Sequence, residues 1–155
     1  MVNPLCANSA FRESILESIL CPGITLPTLC HMRILVAEDE KRTRAILVEM
    51  VQSLECEVIE ARAGFEAIKL VKDQHPDVLL LDGLLPEMSG FEIARFVRNL
   101  SPDYHPRIVM ITAVYKARRY QDEAKLRYGV DVYLVKPVTK EAVAAAVFGG
   151  VVKES

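Results

Sequence analysis

Asp82 stands directly behind the apolar run Val78-Leu79-Leu80-Leu81, and Glu38-Asp39-Glu40 directly behind Ile34-Leu35-Val36-Ala37. Two further apolar runs lead into Thr112 and into Lys136-Pro137. A carboxylate set against an apolar run is costly to desolvate unless it has partners. Asp39 and Asp82 could share a hard divalent cation, whose charge offsets their mutual repulsion. Mg2+ takes a few carboxylates together with waters and phosphate oxygens, so such a site would await a phosphoryl group. Lys136 and the Thr112 hydroxyl would then offer a cation and a donor to the remaining phosphoryl oxygens. Asp82, at the centre of the set, is placed to act as an aspartyl-phosphate nucleophile. Each group alone has a plainer reading: acids favour a helix start, Lys136 suits a surface and Thr112 a strand.

These residues need a scaffold that gathers the ends of four apolar runs. Short runs at 33–37, 57–61, 78–81, 108–111 and 132–135 alternate with helical patterns at Thr43–Leu54, Phe65–Asp73, Ser89–Asn99, Ala117–Tyr128 and Thr139–Val152. Gly64, Pro76, Gly90, Pro106, Gly129 and Pro137 lie at or near the seams, where breakers belong. The first, third and fourth runs lack the alternation of a half-solvated strand, so helices should cover both faces of a parallel sheet. Five strand–helix units predict a doubly wound α/β sandwich with a five-stranded parallel sheet. In such a sheet the carboxyl ends of the strands form the ligand crevice. All four polar groups fall there.

The blocks Ile34–Glu40, Leu79–Pro86 with Gly90 beyond it, Ile111-Thr112-Ala113 and Tyr133–Pro137 together resemble a response-regulator receiver domain in order and spacing, over roughly residues 32–152. The resemblance implies a flavodoxin-like sandwich and a phosphorylation-dependent signalling switch. It makes Asp82 the phosphoacceptor, Asp39 the direct metal ligand and Glu38 a second acid acting through metal-bound water. The backbone carbonyl of Leu84 would complete the protein's share of a Mg2+ (or Mn2+) shell. Thr112 matches the switch hydroxyl, Lys136 the phosphoryl-binding lysine and Tyr133 the switch aromatic. Pro137 matches a proline whose preceding peptide bond is often cis. The implied partners are a histidine kinase or phosphotransfer protein and a downstream protein target, which would dock on the face of the fourth helix, fifth strand and fifth helix. That face could also serve a homodimer. Gly83 departs from the usual β-branched residue after the acceptor, and Leu85 stands where Met often precedes the proline. Neither removes a reacting group.

Two rival readings are weaker. Haloacid-dehalogenase-like phosphatases also carry an Asp nucleophile, a Thr and a Lys, but need a second Asp two residues after the nucleophile for turnover. This chain has Leu84 there, and Pro137-Val138-Thr139 where their further acidic motif would follow the lysine. A scaffold that works without phosphorylation should lack the acceptor, the acid pair or the lysine, and none is missing. Leu84 and Val114, two residues beyond the acceptor and the switch threonine, cannot orient an attacking water by hydrogen bonding. The phosphorylated state is therefore expected to be comparatively long-lived without a partner phosphatase.

Composition limits the alternatives. The 155 residues carry 19 Lys+Arg against 21 Asp+Glu, a net charge of −2, without the basic excess of a nucleic-acid binder. Tyr115-Lys116-Ala117-Arg118-Arg119-Tyr120 is basic and aromatic, yet short, and suits a protein-docking face better than nucleic acid. The longest apolar run, Ala142–Phe148, is too short to span a membrane. Four cysteines do not make a disulfide scaffold, so a cytoplasmic setting is expected. Residues 1–31 read as a weakly ordered extension or a mis-assigned start before Met32, and 32–155 as the receiver domain. Glu13 and Glu17 interrupt any signal peptide, a short helix fits 11–20, and Cys6, Cys21, Cys30 and His31 match no zinc-knuckle spacing. If complete, the chain has no room for an output domain and would signal by binding or by phosphoryl relay.

Overall fold

Leu35 and Ala37 of the first apolar run face one hydrophobic core, and Ile34 and Val36 face another. The same split recurs at Leu79 and Leu81 against Val78 and Leu80, and at Ile108 and Met110 against Val109 and Ile111. Successive side chains on a strand point to opposite faces, so a run that is apolar throughout must be covered twice. The computed structural model, which describes residues 32–149, meets that demand with helices on both sides of one sheet.

In chain order the elements are β1 (Arg33–Ala37), α1 (Lys41–Gln52), β2 (Glu57–Ala61), α2 (Gly64–Gln74), β3 (Val78–Asp82), α3 (Gly90–Arg98), β4 (Arg107–Thr112), α4 (Arg118–Tyr128), β5 (Val132–Val135) and α5 (Lys140–Phe148). The five strands pair in the order β2-β1-β3-β4-β5, all parallel. The chain leaves β1 toward β2 on one side and returns to β3 on the other. That reversal opens a crevice beyond the carboxyl ends of β1 and β3. α1 and α5 cover one face through Leu47, Val48, Val51, Val143, Ala146 and Val147. α2, α3 and α4 cover the other, but α4 buries only Ala124.

The five expected strands and five expected helices are all present, with shifts at their ends. β3 runs one residue further than its apolar run and β4 one further at each end, taking Asp82 and Thr112 into the ladder opposite Ile111 and Val135 and Arg107 opposite Val78. α1 starts at Lys41 because Glu40 caps it, accepting hydrogen bonds from the Arg42 and Thr43 amides. A capping box of Ser89 and Glu92 opens α3, and Thr139 caps α5. The expectation that the last helix reaches Val152 is corrected: it ends at Phe148, where Gly149 adopts φ 81° and closes it in the left-handed conformation. The helix expected at 11–20 and the residues Cys6, Cys21, Cys30 and His31 lie outside the described residues. Among the described residues no helix is long and apolar enough to cross a membrane.

Candidate functional site

Glu38 extends the β1–β2 ladder by one bond beyond β1, its amide donating to the Ala61 carbonyl at 3.1 Å. That backbone bond holds a charged side chain with only 1% exposure at the edge of the core. Asp82, the last residue of β3, is 7% exposed, whereas Asp39 projects into solvent. One carboxylate oxygen from each of Glu38, Asp39 and Asp82 lies within 4.8 Å of the others. Lys136, one residue beyond β5, reaches across to them. Its Nζ is 2.5 Å from Glu38 Oε2 and 3.6 Å from Asp82 Oδ2. Its amide donates to the Thr112 carbonyl at 2.8 Å, and the Lys136–Pro137 peptide bond is cis.

Thr112 is fully buried, and its hydroxyl oxygen accepts from the Val114 amide at 3.3 Å. Gly83 sits against it: a Cβ there would come within 3.2 Å of Thr112 Oγ1. Gly90 is demanded by a different contact, because a Cβ at that position would collide with the Asp82 carbonyl oxygen. Absence of a side chain thus lets α3 start directly beneath the acid. Leu84 donates its amide to Asp82 Oδ1 at 3.4 Å, and its side chain stands exposed at the rim together with Val114. The Tyr133 hydroxyl is engaged elsewhere: it donates to the Tyr115 carbonyl at 2.6 Å, and burial pushes its pKa up to about 12. Tyr115 in turn packs edge-on against Phe91 and Tyr120.

Three consecutive acids therefore divide between two tasks. Burial pushes Glu38 above its ordinary value of 4.5; the hydrogen bond from Lys136 opposes the rise and the neighbouring Asp82 charge adds to it. Burial likewise raises Asp82, against the pull of Lys136 and of the Leu84 amide. Glu40, fully exposed, goes the other way to about 2, because the Thr43 hydroxyl and the Thr43 and Arg42 amides favour its charged form. Glu40 serves the helix, and Glu38 and Asp39 serve the crevice. Three carboxylates facing one ammonium leave a surplus of negative charge in a partly dehydrated pocket. An all-oxygen, carboxylate-rich donor set of this kind fits a hard divalent cation such as Mg2+ or Mn2+.

One participant escaped the sequence reasoning. Arg44 on α1 is 6% exposed; its Nη1 donates to the carbonyls of Glu38 (2.9 Å) and Asp39 (3.3 Å), and its Nε to Glu60 at 3.2 Å. The signal was there in the helix period. Arg44, Leu47, Val48 and Val51 are spaced as one buried face, so an arginine was due to point inward.

A family model described as the response regulator receiver domain matches residues 34–148. The chain belongs to that family. It is 27% identical over 106 residues to the polar-differentiation response regulator DivK of Brucella ovis, covering 68% of this chain and 85% of that one. It is 29% identical over 117 residues to Protein PilG of Pseudomonas aeruginosa, covering 75% and 84%. The fold superimposes on the chemotaxis protein CheY4 of Vibrio cholerae with a TM-score of 0.70 at 25% identity, over 78% of this chain and 99% of that one. A CheY-like receiver domain protein from Methanospirillum hungatei gives 0.68 at 23%, over 76% and 91%.

Proposed function

We propose that this receiver domain is a switch that takes a phosphoryl group onto Asp82 from a histidine kinase or phosphotransfer protein. The observation that carries the proposal is the convergence of the Glu38, Asp39 and Asp82 carboxylates within 4.8 Å, with the Lys136 ammonium 3.6 Å from Asp82. Glu38, Asp39, Asp82 and the Leu84 carbonyl would hold Mg2+, which when bound offsets negative charge on the acids and on the incoming phosphoryl oxygens. An Asp82 carboxylate oxygen forms the new O–P bond as the donor's N–P bond breaks. The bond's electron pair leaves with the imidazole, which takes up a proton. Lys136 is already turned toward Asp82 and pairs with a phosphoryl oxygen, releasing part of its hold on Glu38. The Thr112 hydroxyl, presently accepting from Val114, can turn to donate to another.

The readout follows as a change of populations. Tyr133 is buried, and the Tyr115 carbonyl offers its hydroxyl a partner inside. A shift of Thr112 would bias that Tyr133–Tyr115 bond, and with it the face formed by α4, β5 and α5, where a protein target or a second copy would dock. We place this activity in residues 32–155, with 1–31 as an extension, and in the cytoplasm.

Incubation with Mg2+ and acetyl phosphate tests the reading. A mass gain of one phosphoryl group, abolished in Asp82→Asn, is expected. Sustained phosphate release would instead indicate a phosphatase, and the absence of any labelling would indicate a phosphorylation-independent scaffold.

A further inference from the structure

We infer that Arg44 is a positioning residue for the cation site: its guanidinium clamps the two successive peptide groups that carry Glu38 and Asp39. The inference rests on the reading of the acidic crevice as a cation site and assigns a device that sets its affinity. Two requirements on the β1–α1 connection lead to it. The connection must turn from the ladder into α1 within Glu38, Asp39 and Glu40, and it must present two carboxylates together against their mutual repulsion. Backbone bonds hold only its ends, at the Glu38 amide and at the Glu40 carbonyl, which accepts from the Arg44 amide at 2.9 Å. Between those ends, the carbonyls of Glu38 and Asp39 would be left without a partner inside the fold. A single nitrogen, Nη1 of Arg44, binds both. Fixing both carbonyls fixes the peptide planes on either side of Asp39, and therefore where its carboxylate and that of Glu38 can lie.

A cation so near a cation site would ordinarily oppose it. Here the charge is offset by Glu60 on β2, which accepts from Nε at 3.2 Å. Glu60 takes up part of the arginine's charge, and the fork acts on the two carbonyls by geometry. It also ties α1, β2 and the acidic turn into one unit. Lysine cannot take its place, since one ammonium cannot occupy both the Nε and the Nη1 positions. Arg98 supplies a matched control. It too is a fork that binds two carbonyls, those of Gly129 and Pro106, and one acid, Asp131, but through residues just before β4 and β5, at the far end of the sheet.

The experiment is binding of Mn2+ alone, followed by electron paramagnetic resonance, to the wild-type chain and to Arg44→Lys, Arg44→Met and Arg98→Lys, each also melted thermally. Arg44→Lys is expected to weaken Mn2+ binding roughly tenfold, the usual scale for losing a group that orients metal ligands. Phosphorylation of Asp82 by acetyl phosphate should then need more Mg2+ but recover at saturation. Arg98→Lys should lower the melting temperature and leave Mn2+ affinity unchanged. If Arg44→Met does not fold, Arg44→Lys decides. Equal Mn2+ affinity in Arg44→Lys and wild type overturns the clamp, and so does tighter binding in Arg44→Met, which would make the arginine an electrostatic opponent of the cation. A wild-type chain that binds no Mn2+ overturns the reading of the site itself.

Discussion

Strand β3 has an aspartate at each end, and the two lead opposite lives. Asp77, just before the strand, accepts the Arg33 amide of β1 at 2.8 Å. Asp131, just before β5, likewise accepts the Ile108 amide of β4 at 2.7 Å while also binding Arg98. At this amino end of the sheet each acid finishes a backbone ladder that would otherwise leave an amide open. Asp82, at the other end of β3, meets the carboxylates of Glu38 and Asp39 instead, and Lys136 pairs with Glu38 and Asp82. Residue type is the same at both ends. What differs is whether the partners satisfy the charge or compound it. Charge that is satisfied holds the fold together, and charge that is compounded makes the fold ready for a ligand.

The contrast can be broken most forcefully at the amino end. Arg98→Met leaves the Gly129 and Pro106 carbonyls without their side-chain donor and Asp131 without its cation, and should cost about 2 kcal/mol of unfolding free energy in a urea titration. A negligible loss would mean that this end is no more structural than the other. At the carboxyl end the sign should invert. Asp82→Asn removes a charge that burial disfavours, so without added cation it should stabilise the domain by about 1 kcal/mol, a familiar result at functional positions. A destabilised Asp82→Asn would show that the acid cluster helps the fold.

Titration sharpens the same comparison. Glu38 and Asp82 are raised in the folded domain, so their contribution to stability is greatest below the unfolded values of 4.5 and 3.8 and is lost as pH rises through their raised values. Mg2+ competes with those protons. Its stabilisation, read as a rise in melting temperature, should be full at neutral pH and shrink as pH falls through the raised range. A Mg2+ response that did not fall with pH would detach the cation from these two acids. Glu40 has the opposite sign, contributing above 4.5 and losing its contribution as pH falls toward about 2. The smallest effect concerns the exposed rim. Leu84→Asn supplies a side chain able to orient water, and should speed loss of the phosphoryl group by less than about tenfold, under 1.4 kcal/mol of barrier. Equal or slower decay would remove Leu84 from the path of the water.

Sequence alone carried the scaffold far, for reasons visible at individual residues. The runs 33–37, 57–61 and 132–135 coincide with β1, β2 and β5, where the pattern changes at the strand's own end. Pattern and ladder part at Asp82 and Thr112. Polarity ends the pattern at those positions, yet their backbones still pair with Ile111 and Val135. The last helix was expected to run too far because Ala and Val continue its composition, while Gly149 ends it through backbone conformation. Within the site, Asp82, Glu38, Asp39 and Lys136 could be gathered from strand ends. The helix period of Arg44, Leu47, Val48 and Val51 marks Arg44 as pointing inward, but not what it binds, since its partners are carbonyls that carry no sequence signature. Nor does the sequence mark the splitting of Glu40 from Glu38, which depends on where α1 begins.

The bond between Lys136 and Glu38 joins residues 98 positions apart. Contacts of that separation carry a large loop-closure cost and can form only after the elements between them are arranged. β3 and β4 lie between the two partners in the sheet, so the lysine reaches the acids only once β1, β3, β4 and β5 are in register. A nascent or partly unfolded chain would carry Asp82 and Glu38 without the ammonium that faces them. The acidic crevice is therefore its own check on folding: the charge that answers its acids arrives with the last strand.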